Sequence, residues 1–252
     1  MNIKVKTLIP LMGFVILLGL GLQAQPVTQG VPQGVPQGRQ MDYLSKIDSD
    51  RSIADYFSSA TTKVMTPNAE GFILRWLLLE PINKPNRSNN VFTDSYIRAA
   101  FDTLYFPNQF TVLPKDGDKV TVGDQELEWH ALDSKLFNVK LFRFAFEQKK
   151  IHYGVIFWAV TVVNSPEEMK DVRMAVGSNS ASMWWLNGEE AAILSGDRRM
   201  VMDDVVSNRL TLNKGKNIIR GAVINGPGMS DFCVRFIDEN GEPVKGITIT
   251  YE

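Results

Sequence analysis

Cysteine is nearly absent: the 252 residues hold one, Cys233. A lone cysteine excludes an intrachain disulfide framework and any Cys-rich zinc site. Histidine is almost as scarce. His130 and His152 are the whole supply, too little imidazole for a His-built metal centre. Surplus charge of either sign is missing as well, with a formal net charge of -1, whereas a nucleic-acid binder normally carries a clear basic excess. The Gly-x-Ser-x-Gly elbow of the α/β-hydrolases does not occur, and Gly196-Asp197 is followed by Arg198 rather than by a nucleophilic serine. Asp197, Asp203 and Asp204 lack EF-hand-like spacing. The sequence therefore calls for no metal, no cofactor and no nucleic-acid partner.

What remains is ordinary globular material. At 44% hydrophobic and 22% charged residues, the composition excludes a mostly disordered chain and a multi-span membrane protein. The first residues have a different character. Lys4 and Lys6 precede an apolar run from Leu8 to Leu22, the chain turns polar at Gln23, and a small residue follows at Ala24. That order predicts a secretory signal peptide over residues 1–24, hence a periplasmic or extracellular protein with no membrane span after cleavage. Retention of the same run as an N-terminal anchor is the other reading. Residues 25–49 carry the small repeat Gly30-Val31-Pro32-Gln33-Gly34-Val35-Pro36-Gln37-Gly38, with no periodic apolar face, and read as a linker. Residues 50–66 form an arm in which Ile53, Tyr56, Phe57 and Ala60 fall at helical spacing. It reads as a short helix packed on the body, or as a weakly ordered extension.

The body, residues 67–252, is patterned for β structure. Phe72 to Leu79 is a short apolar run ended by Pro81, a buried strand. Asp94 opens a helix with Ile97, Ala100, Phe101 and Leu104 on one face. Leu127, Trp129 and Ala131 alternate with polar residues, and Val172, Met174 and Val176 do the same. Tyr153 to Val163 is apolar on both faces. Ser165-Pro166-Glu167-Glu168 has the form of a capping box and predicts one helical turn. Asn187-Gly188, between Met183–Leu186 and the next segment, is a strong hairpin signal. Leu210–Leu212, Ile218–Ile224, Phe232–Ile237 and Ile247–Tyr251 complete the set. Many short strands separated by Gly/Asn turns predict an all-β sandwich or jelly roll with one or two short peripheral helices.

The ordered set Gly177-Ser178-Asn179-Ser180-Ala181, Trp185-Leu186-Asn187-Gly188, Asp203-Asp204, Leu210-Thr211-Leu212 and Gly215-Lys216-Asn217 resembles the galactose-binding-like β-sandwich accessory modules of secreted bacterial polysaccharide-degrading proteins. It is also similar to the sugar-binding domain of family 2 glycoside hydrolases. Trp76 to Ile82, Gly117 to Val120 and Trp129 resemble the opening and middle of such modules. The chain departs from them at Asn179-Ser180-Ala181, where acidic residues are common. The resemblance implies an exported, non-catalytic carbohydrate-recognition or accessory module whose partner is a polysaccharide or oligosaccharide. Similar chains are sometimes labelled acetylxylan esterases.

Candidate residues follow from that choice of classes. A carbohydrate esterase would need His130 or His152 as general base and a serine such as Ser182 as nucleophile. A glycosidase would need a carboxylate pair, but neighbours such as Asp203 and Asp204 on a strand would point to opposite faces, one buried and one exposed. Sugar binding asks instead for an exposed ring beside polar side chains. Trp185 matches the resembled motif and reads as core, which makes Trp184 the candidate platform, with Asn187, Trp129 and Arg199 as the accompanying carbohydrate contacts. The competing reading packs both tryptophans between the sheet and the N-terminal segment. A third class, a structural or protein-interaction module of a cell-surface assembly, would present a flat apolar patch to a protein partner.

Overall fold

Val155–Ser165 (β6), a run rich in Val, Ile, Phe and Trp, is buried along all but one of its residues. A strand with two apolar faces needs cover on both sides, and that requirement organises the molecule. The computed structural model describes residues 53–252; the expected signal segment, the linker and the first residues of the arm lie outside the described residues.

Around β6 the chain builds a large antiparallel sheet. Its members in chain order are Phe57–Ser59 (β1), Arg75–Leu79 (β2), Ile82–Asn83 (β3), Lys119–Val122 (β4), Gln125–Ser134 (β5) and β6. Met169–Asn179 (β7) belongs to a second sheet. Ala181–Leu186 (β8), Glu189–Leu194 (β9), Gly215–Asn225 (β12) and Thr248–Thr250 (β14) return to the first. The order across the large sheet is β1-β5-β2-β6-β12-β8-β9, with β3 and β14 also on β6 and β4 on β5. In the small sheet β7 lies between Asp231–Ile237 (β13) and the short strands Val205–Val206 (β10) and Leu210–Leu212 (β11). Among the described residues two α-helices accompany the sheets, Asp94–Asp102 (α1) and Leu141–Glu147 (α2). The fold is an all-β sandwich, as the strand pattern predicts.

The described residues form two cores. The first lies between the sheets and joins Trp76, Leu78, Phe157, Val163 and Trp184 to Val172, Met174, Val176, Phe232, Val234 and Phe236, with Leu141, Phe144 and Ala145 of α2 closing one end. The second covers the other face of the large sheet. There Trp129, Trp158, Trp185, Met183 and Ala222 meet Ile97, Ala100 and Phe101 of α1 and Phe106 of the segment after it.

Several expectations change on contact with this architecture. The arm is not helical where it is described. Phe57–Ser59 pairs with Leu132–Ser134 of β5, because an open strand edge satisfies more backbone groups than a short isolated helix would. Thr93, rather than Asp94, caps α1, accepting from the Tyr96 amide at 3.3 Å. The helix ends at Asp102, so Leu104 is left 66% exposed. Ser165-Pro166-Glu167-Glu168 makes a bend rather than a helical turn: Ser165 closes β6, and its hydroxyl donates to the Glu167 carbonyl at 2.7 Å. Asp203 and Asp204 are both engaged in ion pairs, Asp203 with Arg235 and Asp204 with Arg198.

Candidate functional site

The residues named from sequence are dispersed by the fold. Trp184 is fully buried, its ring centroid 5.9 Å from Trp76 and 4.9 Å from Phe232, and its indole donates to Ser182 Oγ at 3.0 Å. It is a core residue and offers no platform. Trp129 is equally buried, edge-on to Phe106. Asn187 occupies the hairpin turn at φ 54°. Both ends of its amide tie that turn to β12: Oδ1 accepts from the Ile218 amide at 2.8 Å and Nδ2 donates to Asn217 Oδ1 at 2.9 Å. The side chain thus braces the hairpin. Asn187 and Arg199 are exposed, whereas Trp184 and Trp129 are buried.

The esterase residues fare no better as a set. Ser182 is buried on β8, where its oxygen receives the Trp184 indole. His130 is on β5, and β2, β6 and β12 stand between. Four interstrand steps of about 4.8 Å put the two roughly 19 Å apart, far beyond proton transfer. His130 faces Glu80 at 3.8 Å and packs edge-on against Phe144; Glu80 in turn holds Lys150 at 2.9 Å. His152 sits among rings.

Those rings are the beginning of a site. Leu141, Phe144 and Ala145 turn one face of α2 into the core, which leaves the i, i+4 pair Phe142 and Phe146 stacked on the other face, 6.1 Å apart and 8° from parallel. His152 lies edge-on to Phe142 at 4.6 Å and to Phe146 at 5.9 Å, and Tyr153 follows at 4.3 Å from His152. Tyr153 is 48% exposed, flanked by Ile151 at 57%. Burial holds the His152 imidazole below its ordinary pKa, the Lys150 backbone opposing in part, so the ring stays neutral and apolar in character at pH 7.

A polar floor adjoins this strip. The Asn225 Nδ2 donates to the His152 carbonyl at 2.8 Å and to the Gly228 carbonyl at 3.2 Å. The Phe142 amide donates to the Ser230 carbonyl at 3.1 Å. Opposite, Asn89 Nδ2 donates to Asp197 Oδ1 at 2.7 Å and to the Pro227 carbonyl at 3.2 Å. Asn86 Nδ2 reaches the carbonyls of Lys84 and Asn225. Each amide nitrogen faces acceptors, which fixes the orientation of all three side chains. Their three oxygens, Asn86 Oδ1, Asn89 Oδ1 and Asn225 Oδ1, are buried and receive no donor from the protein. Two of them crowd Gly226, where a methyl group would stand 2.2 Å from Asn89 Oδ1 and 2.5 Å from Asn86 Oδ1. A larger residue there would force both amides to move.

A buried acceptor left without a donor costs about 1–3 kcal/mol, and two of these three lie together against Gly226. Amide oxygens with one carboxylate suit hydroxyl groups or a hard cation. Among the described residues no group of three or more His, Cys, Asp or Glu stands ready to hold a metal ion. Sequence reasoning missed these residues. Two signals were present: the asparagine-rich stretch Asn83 to Asn90 and the turn Asn225-Gly226-Pro227-Gly228.

No family model and no curated protein matches the chain. Among solved structures it is similar to the PA14 domain of the MpAFP antifreeze protein, at 12% identity and TM-score 0.39 over 77% of this chain and 95% of that one. A PA14 sugar-binding domain from an RTX adhesin gives 10% identity and TM-score 0.39 over 68% and 94%. A β-glucosidase from Kluyveromyces marxianus gives 16% identity and TM-score 0.34, over 71% of this chain but 17% of that chain. Likenesses this low carry no argument about the chain.

Proposed function

We propose that the protein is an exported, non-catalytic carbohydrate-recognition module serving polysaccharide degradation, and that it binds sugar at the strip formed by Phe142, Phe146, His152 and Tyr153 with its asparagine floor. The observation that carries the reading is the contiguity of partly exposed rings with three donor-less amide oxygens, joined through the Asn225–His152 hydrogen bond. Sugar rings offer apolar C–H faces that stack on aromatic rings and hydroxyl edges that donate to acceptors. Export stands on the Lys4–Ala24 pattern alone.

Retention on a panel of immobilised polysaccharides tests the reading, with the parent, Tyr153→Ala and Asn89→Ala side by side. Retention on at least one polysaccharide should fall about ten-fold or more in both variants while their melting temperatures stay close to the parent's. Each lost stacking or hydrogen-bond contact is worth about 1–1.5 kcal/mol, or roughly ten-fold. Retention by the parent that neither variant disturbs would remove the site from consideration.

A further inference from the structure

On the outer face of the large sheet, the segment between α1 and β4, residues 103–118, lies as a strap over an aromatic pair. Trp158 and Trp185 stack with centroids 5.7 Å apart and planes 13° from parallel. Phe110 stands edge-on above both, 5.7 Å from each ring. Beside them is Arg220, which is directly opposite Trp185 on β8 and Val160 on β6.

Arg220 is 3% exposed, and among the described residues no carboxylate pairs with it. Burial lowers its pKa and no charged neighbour offsets the effect. One guanidinium nitrogen, Nη2, donates to the Val112 carbonyl of the strap. Its Nε is buried without an acceptor, and so is Trp158 Nε1. A buried charge with no counter-charge carries a large desolvation penalty, and a buried donor left unpaired adds about 1–3 kcal/mol. Both penalties fall on the sheet face that carries the Trp158–Trp185 pair.

The strap is anchored to β5 at its far end, where Asp116 Oδ1 accepts from the Ala131 amide and the Gly117 amide donates to the Trp129 carbonyl; around Phe110 it is held less closely. Gln109 bonds to the Phe101 and Thr103 carbonyls, Tyr105 to Ala100 and Val112 to Asn108, so these hydrogen bonds run within the strap or back to α1. The Arg220–Val112 bond ties the strap's middle to the sheet. Phe110 itself is half-buried, and swinging it aside would uncover the Trp185 side of the pair without breaking a strand, while Phe106 stays on Trp158.

We propose that the strap around Phe110 covers a second binding site, in which Arg220 and Trp158 Nε1 receive the carboxylate of a uronic acid residue while its ring packs on Trp158 and Trp185. The site goes beyond the ring strip described above and does not depend on it. Its ligand is acidic because the unused groups are a cation and a donor, in contrast to the acceptor floor of Asn86, Asn89 and Asn225.

Tryptophan fluorescence of the full protein, titrated with oligogalacturonate and separately with neutral oligogalactose, is the test. The acidic oligomer should give a saturable change with at least about ten-fold tighter apparent affinity than the neutral one, as a charge-assisted hydrogen bond warrants. Phe110→Ala should tighten binding several-fold, since the cover no longer has to be displaced. Arg220→Met should abolish the preference for the acidic oligomer. Tyr153→Ala should leave the response intact, which keeps failure here distinct from failure of the ring strip. Equal responses to the two oligomers, or no response in both the parent and Phe110→Ala, would overturn the proposal. The Phe110→Ala result decides the matter even where Arg220→Met fails to fold.

Discussion

Trp184→Ala is the substitution on which the sequence and the structure disagree most sharply, because an exposed platform and a core residue respond in opposite ways. In the fold the ring is wholly inaccessible and is packed between Trp76 and Phe232. Truncating a buried tryptophan to alanine costs about 3–5 kcal/mol in lost transfer energy and cavity. Ser182 Oγ, itself fully buried, loses its Nε1–H donor at 3.0 Å, which adds about 1 kcal/mol. The total is about 4–6 kcal/mol. For a domain of this size each kcal/mol lowers the melting temperature by about 2–4 °C, so the expected drop is roughly 8–24 °C. Thermal melts and urea unfolding should agree, with the midpoint moving and the slope unchanged. Tyr153→Ala is the matched control: it removes a ring that is 48% exposed and should cost less than about 1 kcal/mol. A Trp184→Ala protein melting within a few degrees of the parent, with polysaccharide retention gone, would refute the packing argument and restore the platform.

Three further outcomes follow from particular groups. Gly188→Val should destabilise by about 1–2 kcal/mol in thermal melts through backbone strain alone, since Gly188 has φ 91° and a methyl there meets nothing within 4 Å; an unchanged melt would refute the strain assigned to the turn. Cys233, whose thiol burial pushes up to about 12, should ignore a maleimide in the native protein and react fully in denaturant. Because His152 titrates below its ordinary value, the unfolded chain binds more protons than the folded one as pH falls below about 6.5. That group's contribution is present at neutral pH and lost on acidification, so His152→Asn should melt with a flatter pH dependence between about pH 7.5 and 5.5; an equally steep profile would contradict the assignment.

Strand periodicity was legible wherever one chain segment decided its own fate. The Asn187-Gly188 hairpin, the doubly apolar β6 and the alternation in β5 and β7 each express a local pattern that the fold keeps. Trp184 and Trp185 show what local pattern leaves undecided. Adjacent strand residues face opposite ways, so one of the pair faces solvent unless both sheet faces are covered. The second cover is the segment after α1, with Phe106 and Phe110 standing on Trp158, and that segment has no strand or helix period to announce it. The arm shows the same limit: Ile53, Tyr56 and Phe57 share a helical spacing, yet the free edge of β5 takes Phe57–Ser59 as a strand.

The candidate site was hidden for a related reason. Phe142, Phe144 and Phe146 alternate with Arg143 and Ala145, a spacing that on a strand puts all three rings on one face. Wound into α2, the same residues part company: Phe144 joins the core with Leu141 and Ala145, while Phe142 and Phe146 stack outside. The floor is drawn from segments centred on Asn86, Asn89, Asp197 and Asn225, and no spacing along the chain relates them. Asn86 and Asn89 meet at Gly226, where the absence of a side chain admits both oxygens, and each amide nitrogen has an acceptor while each oxygen lacks a protein donor. Folding alone gains nothing from such an arrangement, since three unmet acceptors oppose it. A ligand that supplies the donors would convert that cost into affinity.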